Sequence, residues 1–204
     1  TSTVQTDPSG HFSIVKYTGF AGASGTSTVG HGLSTAPTMI IHKSRTRDSG
    51  WWTQFPNLLT NAGYFLDLSG AGAQTDLNSP YGTMSVPTTS VFTINGVDGV
   101  GGESANYVAY CFANIEGFIK VGSYVGNANA DGTFVYTGFK PSFMMCKPVV
   151  AGAWRIQDTK RSPFNAAAAT LYPNLSAAEE AYTSDHIDIL SNGFKMRASD
   201  SNYN

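Results

Sequence analysis

The chain repeats itself, and this restricts its fold more than any single motif does. Gly10-His-Phe-Ser-Ile-Val-Lys-Tyr-Thr-Gly19 is matched by Gly117-Phe-Ile-Lys-Val-Gly-Ser-Tyr-Val-Gly126. Pro37-Thr-Met-Ile-Ile-His-Lys43 is matched by Pro141-Ser-Phe-Met-Met-Cys-Lys147, with the same spacing from Pro to Lys. Each copy then reaches a glycine and a tryptophan, Gly50-Trp51-Trp52 and Gly152-Ala153-Trp154, which aligns Trp52 with Trp154. The period is about 100 residues, the size of a domain rather than of a solenoid repeat. The expected organisation is a linker or added strand over residues 1–9, a first domain over 10–115 and a homologous second domain over 116–204.

The repeat also shows a gap. The first copy closes with Asn106-Tyr-Val-Ala-Tyr-Cys-Phe-Ala-Asn114, an aromatic run typical of a strand. The second reaches Asn202-Tyr203-Asn204, with Asn202-Tyr203 aligned on Asn106-Tyr107. The second domain is therefore expected to lack its closing strand, and the chain to be a segment of something longer or ordered only to that point. An uncovered edge invites pairing with another chain. Cover is expected from the N-terminal residues Thr1–Thr6 or from a neighbouring subunit.

Composition points to an all-β fold. Charged residues make up 13% of the chain, against about 25% in an average soluble domain. There are 22 glycines, and 12% of residues are aromatic, the profile of a turn-rich β protein. Twelve basic residues face fourteen acidic ones, which argues against a nucleic-acid binder or a polybasic membrane anchor. No apolar run is long enough to span a membrane, and none near the start reads as a signal peptide. Strands are expected at residues 12–17, 39–43, 64–68, 90–94 and 107–113 of the first copy. In the second they are expected at 119–124, 133–136, 143–147, 154–158, 187–190 and 194–197. Asn192-Gly193 marks a hairpin, and Asn127–Gly132 a turn whose glycine takes positive φ. Ser176–Ala181 has capping-box spacing, with Ser176 as cap and Glu179 three residues on, and Ala166–Ala169 is a second helical candidate or a close-packed segment.

Few groups carry chemistry. Cys111 and Cys146 form no Cys-x-x-Cys pair, so zinc and thioredoxin-type readings are weak; they read as packed free thiols, with a single disulfide left open. The four histidines, His11, His31, His42 and His186, accompany no Gly-x-Ser-x-Gly elbow, so no catalytic residues are assigned. Asp185-His186-Ile187-Asp188 would split its ligands between two strand faces. Asn127, Asn129 and Asp131 share the alternate spacing of a calcium loop but lack its closing Glu, and are weak metal candidates. Asp67, Asp76, Asp98 and Glu103 stand in no motif for glycoside hydrolysis. The mixed cluster Asp158-Thr-Lys-Arg-Ser-Pro163 reads as a solvated turn, with an intersubunit salt bridge as the minor reading. Trp52 and Trp154 read as core. Trp51, one residue from Trp52, faces the other way and is a candidate ligand or subunit contact. Tyr81, in a turn-rich loop, is a second ligand candidate.

The opening Phe-Ser-Ile-Val-x-Tyr-Thr-Gly, Val29-Gly-His-Gly-Leu33, Pro37-Thr-Met-Ile-Ile41, Tyr107-Val-Ala-Tyr-Cys-Phe-Ala113 and Gly122–Pro141 together resemble a repeat in marine bacteriophage tail, tail-fibre or other virion appendage proteins. Asp158–Pro163 and Leu190–Arg197 are similar to the same family, so the resemblance spans about Gly10 to Arg197. That family has no characterised activity and carries no catalytic residues to transfer. It often occurs beside lectin-like sandwich modules, which implies glycan contact only by association. The resemblance implies a virion location, other virion proteins as partners, and a homo-oligomer, since phage fibres are usually trimers. The expected fold is two tandem β-sandwich domains of jelly-roll or lectin-like character. The expected function is structural and adhesive attachment to a host surface, through glycans, without a cofactor. The alternatives are a ligand-free decoration domain of a fibre or capsid, and a polysaccharide depolymerase.

Overall fold

The computed structural model of the chain describes residues 2–20, 22, 24–181, 186–200 and 203–204. The architecture is all-β and sandwich-like. Among the described residues there is no helix, and all paired strands are antiparallel. Two compact units divide the chain: residues 1–69 with 74–115, and residues 70–73 with 116–204.

Unit 1 contains β1 (Ser2–Thr6), β2 (Phe12–Thr18), β3 (Thr26–Gly30), β4 (Met39–Ser44), β5 (Trp52–Gln54), β6 (Tyr64–Asp67), β7 (Thr75–Asp76), β8 (Val91–Asn95) and β9 (Asn106–Phe112). Seven of them form one sheet in the order β1-β2-β9-β4-β5-β6-β7, and β3 pairs with β8 separately. The last strand in sequence therefore lies between β2 and β4. Its alternation sends Tyr107, Ala109 and Cys111 inward, each 0% exposed, and Val108, Tyr110 and Phe112 to the other face. Val15, Ile40 and Phe65 join the inner face and pack with Val29, Phe92 and Ile94 of the β3–β8 pair. The N-terminal residues add to β2, with Val4 opposite Val15. Of the two covers expected for the second copy, this one is thus engaged in unit 1.

Two polar knots support this layer. The Asp7 carboxylate accepts the backbone N–H groups of Ser9, His11 and Phe12 at 2.9, 2.9 and 2.6 Å, and the Ser9 hydroxyl as well. These bonds stabilise the carboxylate and hold its pKa at about 2. Deeper in, the Tyr17 hydroxyl donates to the Val100 carbonyl at 2.6 Å and lies 3.0 Å from Nδ1 of His42. The Tyr17 proton is committed, so His42 Nδ1–H donates to the Tyr17 oxygen and Nε2 is left as an unpartnered acceptor. The ring lies among Phe65 and Phe92, 5.8 and 5.4 Å away. This is the setting of a core histidine, not of a general base. Cys111 and Cys146 are both free, and burial pushes their thiols up to about 12 and about 11.

Burial holds the His42 pKa down to about 3 from 6.5 and lowers that of His31 as well. In the unfolded chain His42 takes a proton below that ordinary value, while in the folded chain it stays neutral down to about 3. Its contribution to stability is therefore full above pH 6.5 and falls as pH drops toward 3, by up to about 1.4 kcal/mol per pH unit, and His31 adds in the same direction. His42→Leu is expected to flatten part of that slope in urea midpoints measured between pH 4 and 7; an unchanged slope would show that His42 is not buried neutral.

Unit 2 contains β10 (Phe134–Tyr136), β11 (Phe143–Cys146), β12 (Arg155–Asp158), β13 (Ala169–Thr170), β14 (Glu180–Ala181), β15 (Ile187–Leu190) and β16 (Gly193–Met196). They form a β10-β16-β15 sheet and two pairs, β11–β12 and β13–β14. The core is Met144, Ala167, Ile187, Ile189, Phe194, Met196, Ala198 and Tyr203.

Several expectations change here. Residues 119–124, expected as a strand, lie outside every strand. Ser176–Ala181 is not helical: Glu179 turns to the guanidinium of Arg161 at 3.0 Å instead of back to a cap, and Glu180–Ala181 pairs with β13. Ala166–Ala169 is likewise extended; Ala167 is fully buried and bridges to Ile187. The β15–β16 loop consists of Ser191 and Asn192, because Leu190 is already opposite Gly193. Gly193 is required for space, since a Cβ there would lie 2.1 Å from the Val135 carbonyl of β10. Positive φ in the 127–132 turn falls on Ala128, at 53°, rather than on Gly132. The register sets Gln157 opposite Met144 just as Gln54 is opposite Ile40. Counted from there, Trp154 is level with Trp51, not Trp52, because the β11–β12 loop is one residue shorter than the β4–β5 loop. Its side chain is nevertheless core, 2% exposed.

The Asp158–Pro163 cluster is an internal staple. Arg161 donates to Asp158 at 2.7 Å, to the carbonyls of Ala169 and Ile156 at 3.1 and 3.0 Å, and to Glu179. One planar fork thus ties β12, β13 and the approach to β14. A lysine has no such fork, so Arg161→Lys is expected to cost unit 2 about 2 kcal/mol in chemical denaturation; a loss near zero would mean the cluster is a solvated turn.

Candidate functional site

The outward face of the seven-stranded sheet carries a group of aromatics, the half-buried Phe12, Tyr110 and Phe112 beside the exposed Trp51. Trp51 immediately precedes β5 and is 37% exposed. Its ring stacks on that of Tyr110, with centroids 6.4 Å apart and planes 20° from parallel. The Lys43 ammonium sits 5.7 Å from the Trp51 ring centre, a cation–π contact, and also donates to the Ser49 carbonyl. β9 supplies Tyr110 and β4 supplies Lys43, both at positions that alternate away from the core. Ile14, Tyr110 and Ile41 lie side by side across three strands of this face, beside the Phe12–Phe112 ring pair at 4.9 Å.

The Trp51 backbone is fixed before any ligand arrives. Its N–H donates to Asp67 Oδ1 at 2.9 Å, and its carbonyl accepts Leu68 N–H at 2.8 Å. Asp67 also accepts the backbone N–H and hydroxyl of Ser69. The carboxylate fits because residue 50 is glycine: a Cβ there would lie 2.5 Å from it. Trp52, opposite His42, turns inward and packs against the core. Such a platform offers a flat apolar face with a cation at its rim, which suits stacking rather than bond-making.

Tyr81 is not part of this platform. Its backbone carbonyl accepts Gly25 N–H at 2.9 Å, which places it beside the start of β3, and its ring makes no contact with Trp51 in the described structure. The sequence reading missed Tyr110 and Lys43. The signal was present in the alternation of β4 and β9, which puts both on the face opposite the core.

The remaining candidates anchor turns. Asn127 and Asn129 direct their side-chain oxygens at the N–H groups of Asn129 and Asp131, at 3.1 and 2.8 Å. Asp131 forms ion pairs with Lys195 at 2.5 Å and Arg197 at 3.5 Å, which hold its pKa down. Two cations thus stand beside the one carboxylate a calcium ion would need. Asp188 faces Arg197 at 2.7 Å, while Ile187 points into the core; Asp185 lies outside the described residues. Asp76 accepts the N–H of Asn78, and Asp98 pairs with Arg47. Among the described residues no group of three or more His, Cys, Asp or Glu is placed to hold a metal ion.

A family model described as a domain of unknown function, DUF7483, matches residues 1–204. The chain belongs to the DUF7483 family. No curated protein and no solved structure matches it. For this DUF7483 domain the candidate site therefore rests on geometry. Millimolar calcium is expected to leave its thermal midpoint unchanged, since Lys195 and Arg197 occupy the charge environment of Asp131; a midpoint rising by several degrees with calcium would overturn that reading.

Proposed function

We propose that the chain is an adhesive module of a virion appendage, and that it contacts host-surface glycan through the Trp51 platform. The observation that supports this reading most is the outward Trp51–Tyr110 stack with Lys43 at its edge. An aromatic face of this kind covers the apolar face of a pyranose, and the fixed Trp51 backbone limits the ordering cost of binding. A single shallow site binds weakly, so attachment depends on several copies presented together, as in a homo-oligomeric fibre beside other virion proteins. The sequence resemblance supports the virion reading, and the platform supports the glycan reading.

Trp51→Ala is expected to lower glycan affinity at least about tenfold, equivalent to about 1.4 kcal/mol. The side chain is partly exposed, so folding stability should change little. Binding measured on a glycan array and by titration, beside denaturation of the same variant, checks both parts. A folded wild-type chain that binds no glycan in multivalent display would instead favour a ligand-free decoration role. Loss of polymer length from host polysaccharide would favour a depolymerase.

A further inference from the structure

The outward face that carries the Trp51 platform also carries charge of one sign. Lys16 on β2 and Lys43 on β4 are both opposite Val108 of β9, so the two lysines flank one residue in a single row across three strands. Neighbouring strands lie about 4.8 Å apart, which sets the two lysine backbones about 10 Å apart. Both side chains alternate away from the core, since Val15, Tyr17, His42 and Ser44 on either side of them are buried. Arg45 is exposed at the end of β4, where its backbone N–H donates to the Asn106 carbonyl at 2.7 Å. Tyr110 and Val108 are successive outward residues of β9, so the aromatic stack and the row of lysines adjoin. No acid balances these cations. β1, β2, β4 and β9 contain no Asp or Glu. Among the described residues no carboxylate forms an ion pair with Lys16, Lys43 or Arg45, whereas Arg47 pairs with Asp98. Asp67 is turned to the donors of Trp51 and Ser69, and Asp48 of the β4–β5 loop is exposed without pairing to Lys43. The Trp51 ring attracts the Lys43 ammonium but does not neutralise it.

We propose that the glycan taken by the Trp51 platform is acidic. The ring of a uronic acid or a sulfated sugar stacks on Trp51 while its anionic group meets Lys43, and Lys16 and Arg45 stand ready for anionic groups farther along the saccharide. The inference rests on the glycan reading of the platform and adds to it the charge of the sugar. An ammonium at the edge of an aromatic face gains more from a carboxylate or sulfate than from a neutral hydroxyl, because hydrogen bonds between ionised partners are about twice as strong as neutral ones. Charge complementarity of this kind sets selectivity more than raw affinity. A single strand of nucleic acid also presents rings and anions, but it carries a phosphate at every nucleotide and calls for a positive groove that tracks its backbone. The chain has a net charge of −2, and Lys16, Lys43 and Arg45 form a short patch rather than such a groove.

The test displays the full chain multivalently and titrates two matched pairs of saccharides. One pair is a galacturonic acid oligosaccharide and the same oligosaccharide reduced at its carboxyl groups to neutral galactose. The other is a sulfated galactan oligosaccharide and its desulfated form. At least one acidic member is expected to bind about tenfold tighter than its neutral counterpart, and the pair that shows the preference tells carboxylate from sulfate. The preference should shrink as salt rises from about 0.05 to about 0.5 M. Lys16→Gln and Lys43→Gln should each reduce it by about threefold, while Lys140→Gln, an exposed lysine of unit 2, should leave it unchanged. Equal binding of acidic and neutral members, with Trp51→Ala weakening both, would overturn the acidic assignment and keep the glycan reading. Binding of neither member of either pair would remove both. An equal loss in Lys140→Gln would trace the preference to overall charge and not to this face, and a single-stranded oligonucleotide that binds more tightly than the acidic sugars would make a phosphate chain the occupant; either result sinks the proposal.

Discussion

Unit 1 depends on the placement of β9 between β2 and β4. It is hydrogen-bonded along both edges, so its main-chain groups are satisfied without water. Its alternation then serves two environments. Tyr107, Ala109 and Cys111 complete the inner layer, while Tyr110 faces outward and supports Trp51. The small residues are as necessary as the large one, because Tyr17 stacks on Tyr107 at 5.2 Å and His42 is opposite Ala109. A shift of one residue in β9 would exchange the two faces, moving Tyr110 into the core and Tyr107 to the surface. Core and candidate site are therefore set by the same register.

Much of this was legible in the sequence, and the reason is the strength of the period-two signal. Long strands with alternation on both sides, such as residues 12–18, 39–44 and 106–112, show in composition alone. The two- and three-residue strands β5, β7, β13 and β14 carry too few residues to show a period, and tertiary pairing defines them. Residues 119–124 have strand composition yet lie outside every strand, because strand propensity alone does not form a ladder. Ser176–Ala181 failed in the opposite sense. Its local cap signal was sound, but Arg161 offered Glu179 a charged partner that the sequence spacing could not reveal.

The candidate site was legible in part. Adjacent tryptophans on a strand must point to opposite faces, which was enough to send Trp51 outward and Trp52 inward. Its partners come from strands 8 and 59 residues away in sequence, and no local pattern joins Lys43, Trp51 and Tyr110. Trp51 also shows a limit of repeat alignment. A one-residue difference in loop length moved the correspondence from Trp52–Trp154 to Trp51–Trp154, and the two aligned tryptophans then have opposite fates.

The scarcity of charge gains a structural sense from where the charges are. Asp7 closes a hairpin, Asp67 clamps the Trp51 backbone, Asp131 is held by Lys195 and Arg197, and Asp158 and Glu179 share Arg161. Carboxylates used in this way stabilise turns; the surrounding hydrogen bonds and cations lower the pKa values of Asp7, Asp131 and Asp158. The buried histidines are driven the same way by desolvation and stay neutral in the core. On the proposed adhesive reading, recognition falls to the Trp51–Tyr110 face, a surface whose contact does not depend on titration, and weak contacts of that kind gain strength from the number of copies presented together.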